Sequence, residues 1–78
     1  MKLKVISPEA VNFEGEVEAV TLPGAMGAFT VLKNHASLIS TLSAGALVYT
    51  IAGGGEQRLE IEGGIVDVDN NVISVCLY

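Results

Sequence analysis

Chemically versatile side chains are scarce in this sequence. Its 78 residues include one histidine, one cysteine and no tryptophan. A nucleophile–histidine–acid arrangement needs three converging groups, yet no acid lies between Glu18 and Glu56, on either side of the lone His35. A tetrahedral metal site needs clustered His and Cys ligands, and Cys76 is far from His35 along the chain. We therefore expect no catalytic residue and no bound metal, and we expect His35 to bond local backbone groups or to face a partner.

Basic residues and long apolar runs are also scarce. Four Lys and Arg stand against nine Asp and Glu, which gives a net charge of −5 and no basic cluster. A nucleic-acid surface needs clustered positive charge, and so does a surface that binds anionic lipids. No apolar run reaches the roughly 20 residues of a membrane-spanning helix, and the N-terminal residues have no signal-peptide core. These absences argue against nucleic acid as a partner and allow contact with a membrane only through another protein.

The few motifs that suggest ligand chemistry are incomplete. The triple glycine at 53–55 is followed by Glu56, not by the Lys-Ser/Thr pair of a phosphate-binding loop. The stretch Asp67-Val68-Asp69 lacks the glycine and the final glutamate of a calcium loop. Cys76 has no partner for an internal disulfide, and its apolar neighbours predict a buried thiol in a reducing compartment. No cofactor is therefore expected.

Alternation of polar and apolar residues dominates the chain and predicts β-strands. In Glu56–Glu62, for example, the pattern places Leu59 and Ile61 on an inner face with charged residues between them. Turn signals at Gly or Asn pairs recur at short intervals, and no stretch shows a convincing helical period. The sequence therefore predicts one all-β domain over residues 1–78, a sandwich or a barrel. Only His35–Leu42 is ambiguous between a helical turn and a short strand.

One predicted strand, Glu14–Leu22, has two unlike faces. Its three glutamates alternate with Val17 and Ala19, which predicts a wet face and an inner face. The glutamate face becomes apolar at Val20 and Leu22. We therefore expect the far end of that face to be covered as well.

The segment Leu22–Gly45 differs in character from the rest of the chain. It has no Asp or Glu, and it contains the only histidine and one of the two prolines. Apolar residues without negative charge lose their water at little cost, and interface cores are depleted of charge for this reason. The segment therefore predicts a surface that contacts another macromolecule.

The same segment carries a family resemblance. Short motifs in it, and two outside it, match the epsilon subunit of rotary ATP synthases in the same order along the chain: Phe13-Glu14-Gly15, Leu22-Pro23-Gly24, Gly27–Leu32, Asn34–Leu38, Gly45 and Gly63–Val66. The resemblance covers essentially the whole sequence. It implies the family's N-terminal domain, a flattened β-sandwich of about ten short strands.

The resemblance implies a mechanical role and no catalytic activity for the subunit itself. In the family, this domain lies at the foot of the central stalk of the proton-translocating complex, between the gamma subunit and the c subunits of the membrane rotor ring. The complex would place it peripherally, at the cytoplasmic face of the cell membrane. The sequence ends before the family's C-terminal helical hairpin, which carries the brake on ATP hydrolysis and nucleotide sensing, so neither role is expected of these residues.

Together, the acid-free segment and the matched motifs predict the partner surface. We expect the loop Ala25–Phe29 to face the rotor ring and His35–Leu42 to face gamma. Three positions depart from the family pattern, because Ala28, Thr30 and Ser37 stand where it usually has Glu, Gly and Pro. The predicted contact residues are Ala25, Met26, Gly27, Ala28, Phe29, His35, Ser37, Leu38, Thr41 and Leu42.

The alternative function is a free-standing β-sandwich that binds a small ligand. Such a site would need polar aromatic side chains, and only Tyr49 and Tyr78 could supply them. An enzyme is the third possibility, and the scarcity of catalytic side chains opposes it. Copurification distinguishes the first two, because a stalk subunit would accompany gamma and a ligand-binding module would be isolated alone.

Overall fold

Eight β-strands make up the whole fold. The computed structural model describes residues Met1–Tyr78 and contains no helix, and hence none that could cross a membrane. In chain order the strands are β1 (Lys2–Ile6), β2 (Val11–Leu22), β3 (Phe29–Leu32), β4 (Leu38–Leu42), β5 (Gly45–Ile51), β6 (Glu56–Ile61), β7 (Gly64–Asp69) and β8 (Val72–Leu77). They form one curled sheet in the order β4-β7-β8-β1-β2-β5-β6, with β3 paired to β2. The prediction of a single all-β sandwich domain is confirmed, with eight strands instead of about ten.

The long strand β2 belongs to both layers of the sandwich. Its first half pairs with β1, and its second half lies between β3 and β5. The register against β5 shifts between Val17 and Ala19, so Glu18 is an extra residue in a β-bulge. Val17 before the bulge and Val20 and Leu22 after it are all buried in the core. The expected covering of Val20 and Leu22 is confirmed. The alternation from Val17 to Ala19 on one inner face is broken at the bulge, because one extra residue moves every later side chain to the other face.

The core between the layers is entirely apolar. No polar or charged side chain is buried. The alternation predicted for β6 is confirmed, since Ile61 is 6% exposed and lies between exposed glutamates. Strand β1 alternates in the same way, with Leu3 and Val5 fully buried between exposed lysines. The buried cluster consists of Leu3, Val5, Val17, Val20, Leu22, Val31, Leu42, Leu47, Ile61, Val66, Val68, Ile73 and Val75.

The thiol of Cys76 is exposed, which contradicts the predicted burial. Strand β8 alternates, and Ile73 and Val75 point into the core. Cys76 follows Val75 and therefore faces outward, because successive side chains of a strand lie on opposite faces. The apolar neighbours of Cys76 in the sequence showed that it lies in a strand but not which face it occupies.

The burial of Ile61 leads to a stability prediction for β6. Ile61→Ala should lower the free energy of unfolding by about 2–5 kcal/mol, because it removes buried methyl groups and leaves a cavity. Glu60→Ala should change it by less than about 0.5 kcal/mol, since the ion pair of Glu60 with Arg58 is exposed on both sides. Urea denaturation of the two variants measures the difference. Equal transition midpoints would show that Ile61 does not face the core and that the orientation of β6 is wrong.

Candidate partner-binding site

The first predicted contact segment, Ala25–Phe29, forms an exposed turn between β2 and β3. The four residues before Phe29 are exposed, and Met26 is as accessible as in an extended peptide, at 101%. The Gly27 amide donates to the Gly24 carbonyl at 2.9 Å and closes the turn. The Phe29 ring is half-buried and packs against the core. The turn therefore presents Met26 outward while Phe29 anchors its end.

Close packing behind this turn explains the glycine at position 24. A Cβ on Gly24 would lie 2.7 Å from the Gly27 carbonyl oxygen and 2.8 Å from the Phe29 ring. Neither neighbour can move freely, because one is backbone and the other is the anchoring ring. Close packing against Gly27 and Phe29 thus explains the glycine of the Leu22-Pro23-Gly24 motif.

The second predicted segment, His35–Leu42, is an irregular stretch followed by strand β4, which settles its ambiguity in favour of a strand. Leu42 is buried in the core and Leu38 packs partly against it. Neither side chain is freely available to a partner, although both were among the predicted contacts. On the outer face of β4, Thr41 is exposed and Ile39 is 74% exposed. Ile39 was not among the predicted contacts, and the period-two alternation within β4 is the signal that could have placed it on the outer face.

Backbone hydrogen bonds join the two segments into one surface. The Ala25 amide donates to the Thr41 carbonyl at 3.0 Å, and the Ser43 amide donates to the Pro23 carbonyl at 2.8 Å. Between them, Gly24 and Leu42 form an antiparallel bridge. The exposed turn is therefore attached directly to the end of β4. We call the exposed residues Ala25, Met26, Ala28, Ile39 and Thr41 the joined surface.

His35 and Ser37 lie beside the β7–β8 hairpin and do not form a catalytic pair. The distance between His35 Nδ1 and the Ala36 carbonyl oxygen is 2.7 Å, and Nδ1 donates because a carbonyl only accepts. This confirms the expected local backbone bond of His35. The Ser37 hydroxyl donates to the Asp69 carboxylate at 2.6 Å. The serine is therefore bonded to an acid and not to the imidazole that would have to activate it.

A polar depression of about 550 Å³ opens next to these residues, between the β3–β4 loop and the β7–β8 turn. Pockets for small molecules are mostly enclosed and apolar, with a few polar groups that orient the ligand. This depression is open, and Ala36 is the one apolar residue among the seven that line it. Its composition gives little support to the alternative of a small-ligand site.

The joined surface carries little charge. The three ion pairs of the molecule, Met1–Glu16, Lys2–Glu14 and Arg58–Glu60, involve β1, β2 and β6. Lys33 is the one Lys or Arg between Leu22 and Gly45, and no acid lies in that segment. A partner that covers the joined surface would therefore desolvate no acid of this segment, and the acid beside it is Asp67, which pairs with Ile39 from β7.

Sequence comparison gives the relationship of this chain to known proteins. Residues 1–77 match the family described as ATP synthase, Delta/Epsilon chain, beta-sandwich domain. The ATP synthase epsilon chain of Sulfurovum sp. (strain NBC37-1) is 45% identical over 69 residues, which cover 88% of this chain and 54% of that relative. The ATP synthase epsilon chain of Leptospira interrogans is 42% identical over 76 residues, covering 96% and 58%. The chain thus spans about half the length of these curated relatives.

Solved structures agree with the sequence comparison. A chain of the Euglena gracilis mitochondrial ATP synthase, determined as the OSCP/F1/c-ring assembly, superposes with a TM-score of 0.88 at 25% identity, over 96% of this chain and 48% of that one. A chain of the Tetrahymena thermophila mitochondrial ATP synthase central stalk and c-ring has the same fold, with a TM-score of 0.81 at 16% identity over 99% and 62%. By its sequence match over residues 1–77 and by its fold, this chain belongs to the β-sandwich domain family of ATP synthase delta and epsilon chains.

Proposed function

We propose that this chain is a non-catalytic subunit of the central stalk of a proton-translocating ATP synthase, and that it links the gamma subunit to the c subunits of the rotor ring. The observation that carries the proposal is the joined surface, where an exposed turn and the outer face of β4 are hydrogen-bonded together through Ala25 and Thr41. Two parts of one rigid body can thus contact two partners. Support also comes from curated relatives named ATP synthase epsilon chain.

The rest of the domain suits the transmission of torque. Forty-nine backbone hydrogen bonds cross-link the short chain, and the buried cluster contains only aliphatic side chains. Close-packed interiors have low compressibility and transmit strain. Because β2 takes part in both layers, a force applied to one layer passes directly to the other.

We assign the two parts of the joined surface to different partners. Met26 and its neighbours in the Ala25–Phe29 turn would contact the polar loops of the rotor ring. Ile39 and Thr41 would contact gamma, and so would His35 and Ser37, which precede β4 and lie outside the joined surface. The chain would then lie peripherally at the cytoplasmic face of the membrane, held there by the complex.

Copurification tests the proposal. Affinity-tagged chain expressed in cells that contain the complex should be recovered from detergent-solubilised membranes together with gamma and the c subunits. The tag alone is the control for nonspecific capture. Recovery of the folded chain without gamma would contradict the proposed function and would favour the free-standing ligand-binding module.

A further inference from the structure

Two asparagines that the proposed function does not use connect the β3–β4 loop to the β7–β8 turn. The backbone amide of Asn34 donates to the Asn71 side-chain oxygen Oδ1 at 2.7 Å. In return, Asn71 Nδ2 donates to Asn34 Oδ1 at 3.1 Å. The two residues are far apart in sequence, so this reciprocal pair fixes one loop against another.

A third side-chain bond joins the same two loops. The Ser37 hydroxyl donates to the Asp69 carboxylate at 2.6 Å, so His35 lies between two points of attachment. The receiving turn is itself anchored, because the Lys2 amide of β1 donates to the Asn71 carbonyl at 2.9 Å. The β3–β4 loop has no strand pairing of its own before Leu38. Within the loop, the His35 backbone amide donates to the Leu32 carbonyl at 3.1 Å, and side-chain bonds attach the loop to the β7–β8 turn.

We propose that Asn71 is a positioning residue, which acts with Asn34 to hold His35 and Ser37 in the arrangement that binds the gamma subunit. This inference rests on the proposed function. Asn71 lies outside the acid-free segment and was not predicted to contact a partner. Asn71 would raise the affinity for gamma by preorganising the β3–β4 loop, because a loop that is already ordered loses less conformational entropy on binding.

Backbone geometry allows a clean test of this role. Asn34, Asn70 and Asn71 have positive φ angles of 66°, 52° and 63°. Glycine adopts such angles without strain, so Asn71→Gly removes the side chain and keeps the turn. Asn70→Gly is the matched control, because Asn70 makes no side-chain hydrogen bond and the Asn34–Asn71 pair stays intact. Asn71→Asp is the conservative variant, since both carboxylate oxygens accept hydrogen bonds. One can accept from the Asn34 backbone amide, and the other can accept from the Asn34 side-chain amide after that amide has rotated.

The first measurement is hydrogen exchange in the isolated domain. A neutral hydrogen bond shifts an equilibrium by about 2- to 12-fold. We therefore expect the backbone amide of Asn34 to exchange about 2- to 12-fold faster in Asn71→Gly than in wild type. The control Asn70→Gly should match wild type, and Asn71→Asp should restore most of the protection. Equal exchange in Asn71→Gly and Asn70→Gly would overturn the proposal, because the pair would then not hold the loop.

The second measurement is binding to ATP synthase that has been stripped of this subunit and retains gamma. Asn71→Gly should weaken the affinity by about 3- to 10-fold, and Asn70→Gly should leave it unchanged. Faster exchange with unchanged affinity would overturn the positioning role. Failure of the wild-type chain to bind would instead contradict the proposed function, and the exchange data would still decide whether Asn71 holds the loop.

Discussion

Gly64→Ala should lower the free energy of unfolding by about 3 kcal/mol or more, although it adds a single methyl group. Gly64 is the first residue of β7 and pairs with Leu77 of β8 and Leu42 of β4. A Cβ at this position would overlap the carbonyl oxygen of Cys76 and lie 3.1 Å from the Leu77 Cα. Both are backbone atoms, so no side-chain rotation relieves the overlap and β7 must move away from β8. Overpacking typically costs about 1–3 kcal/mol and occasionally more, and we expect the upper end here because only backbone atoms can relieve the overlap.

Gly55→Ala is the matched control for this prediction. Gly55 lies in the turn between β5 and β6, and a Cβ there would meet no atom within 4 Å. The change should alter stability by less than about 0.5 kcal/mol. The stability of a domain of this size is roughly 4–12 kcal/mol, so chemical denaturation should resolve the two variants easily. Similar transition midpoints would show that β7 and β8 are not as close at Gly64 as the structure has them.

The packing at Gly64 shows what a sequence motif reveals and what it hides. The pair Gly63-Gly64 was recognised as part of a family pattern and as one of the glycine pairs that signal a turn. The reason for it, close approach of two backbones, involves Cys76 and Leu77 at the other side of a hairpin. Such an approach is a property of the folded pair of strands. Local sequence can therefore mark the position but cannot supply the cause.

Most of the fold followed from period-two alternation, because a face that is buried against a core selects apolar residues. The alternation failed where the chain departed from a regular strand. The bulge at Glu18 inserts one residue into β2, and nothing in the local composition marks it. Cys76 was misplaced for a related reason, since the outer face of β8 also carries the apolar Val72. In such a strand, only the pairing partners decide which residues are inside.

The direction of the side chains at the candidate site was predicted less well than the fold. The acid-free composition singled out one region of the chain as a partner surface, which stays a prediction, and it gave no direction to the side chains of that region. Strand β4 places Leu42 in the core and Ile39 on the surface, whereas the predicted contacts included Leu42 and omitted Ile39. The bond between Ala25 and Thr41, which joins the two segments, depends on the curling of the sheet. The sequence does not show this relation between residues that are distant along the chain.

Ile39→Asp should release the chain from gamma while leaving it folded. Ile39 is 74% exposed on the outer face of β4, so the isolated domain loses little packing. Asp67 lies directly opposite on β7, and two like charges across a strand pair cost less than about 1 kcal/mol. In the complex, the new carboxylate would be desolvated without a partner, at a cost of at least about 2 kcal/mol. That corresponds to an affinity loss of about 30-fold or more.

Ala52→Asp controls for the added negative charge. Ala52 is exposed in the turn between β5 and β6, and β6 is at the opposite end of the strand order from β4. Leu38→Asp is a poorer test, because Leu38 packs against the core and the change should destabilise the domain itself. Melting curves establish that each variant is folded, and titration against ATP synthase stripped of this subunit gives the affinities. Normal binding by folded Ile39→Asp would remove β4 from the gamma interface. An equal loss in Ala52→Asp would indicate that net charge, and not the position of Ile39, governs the association.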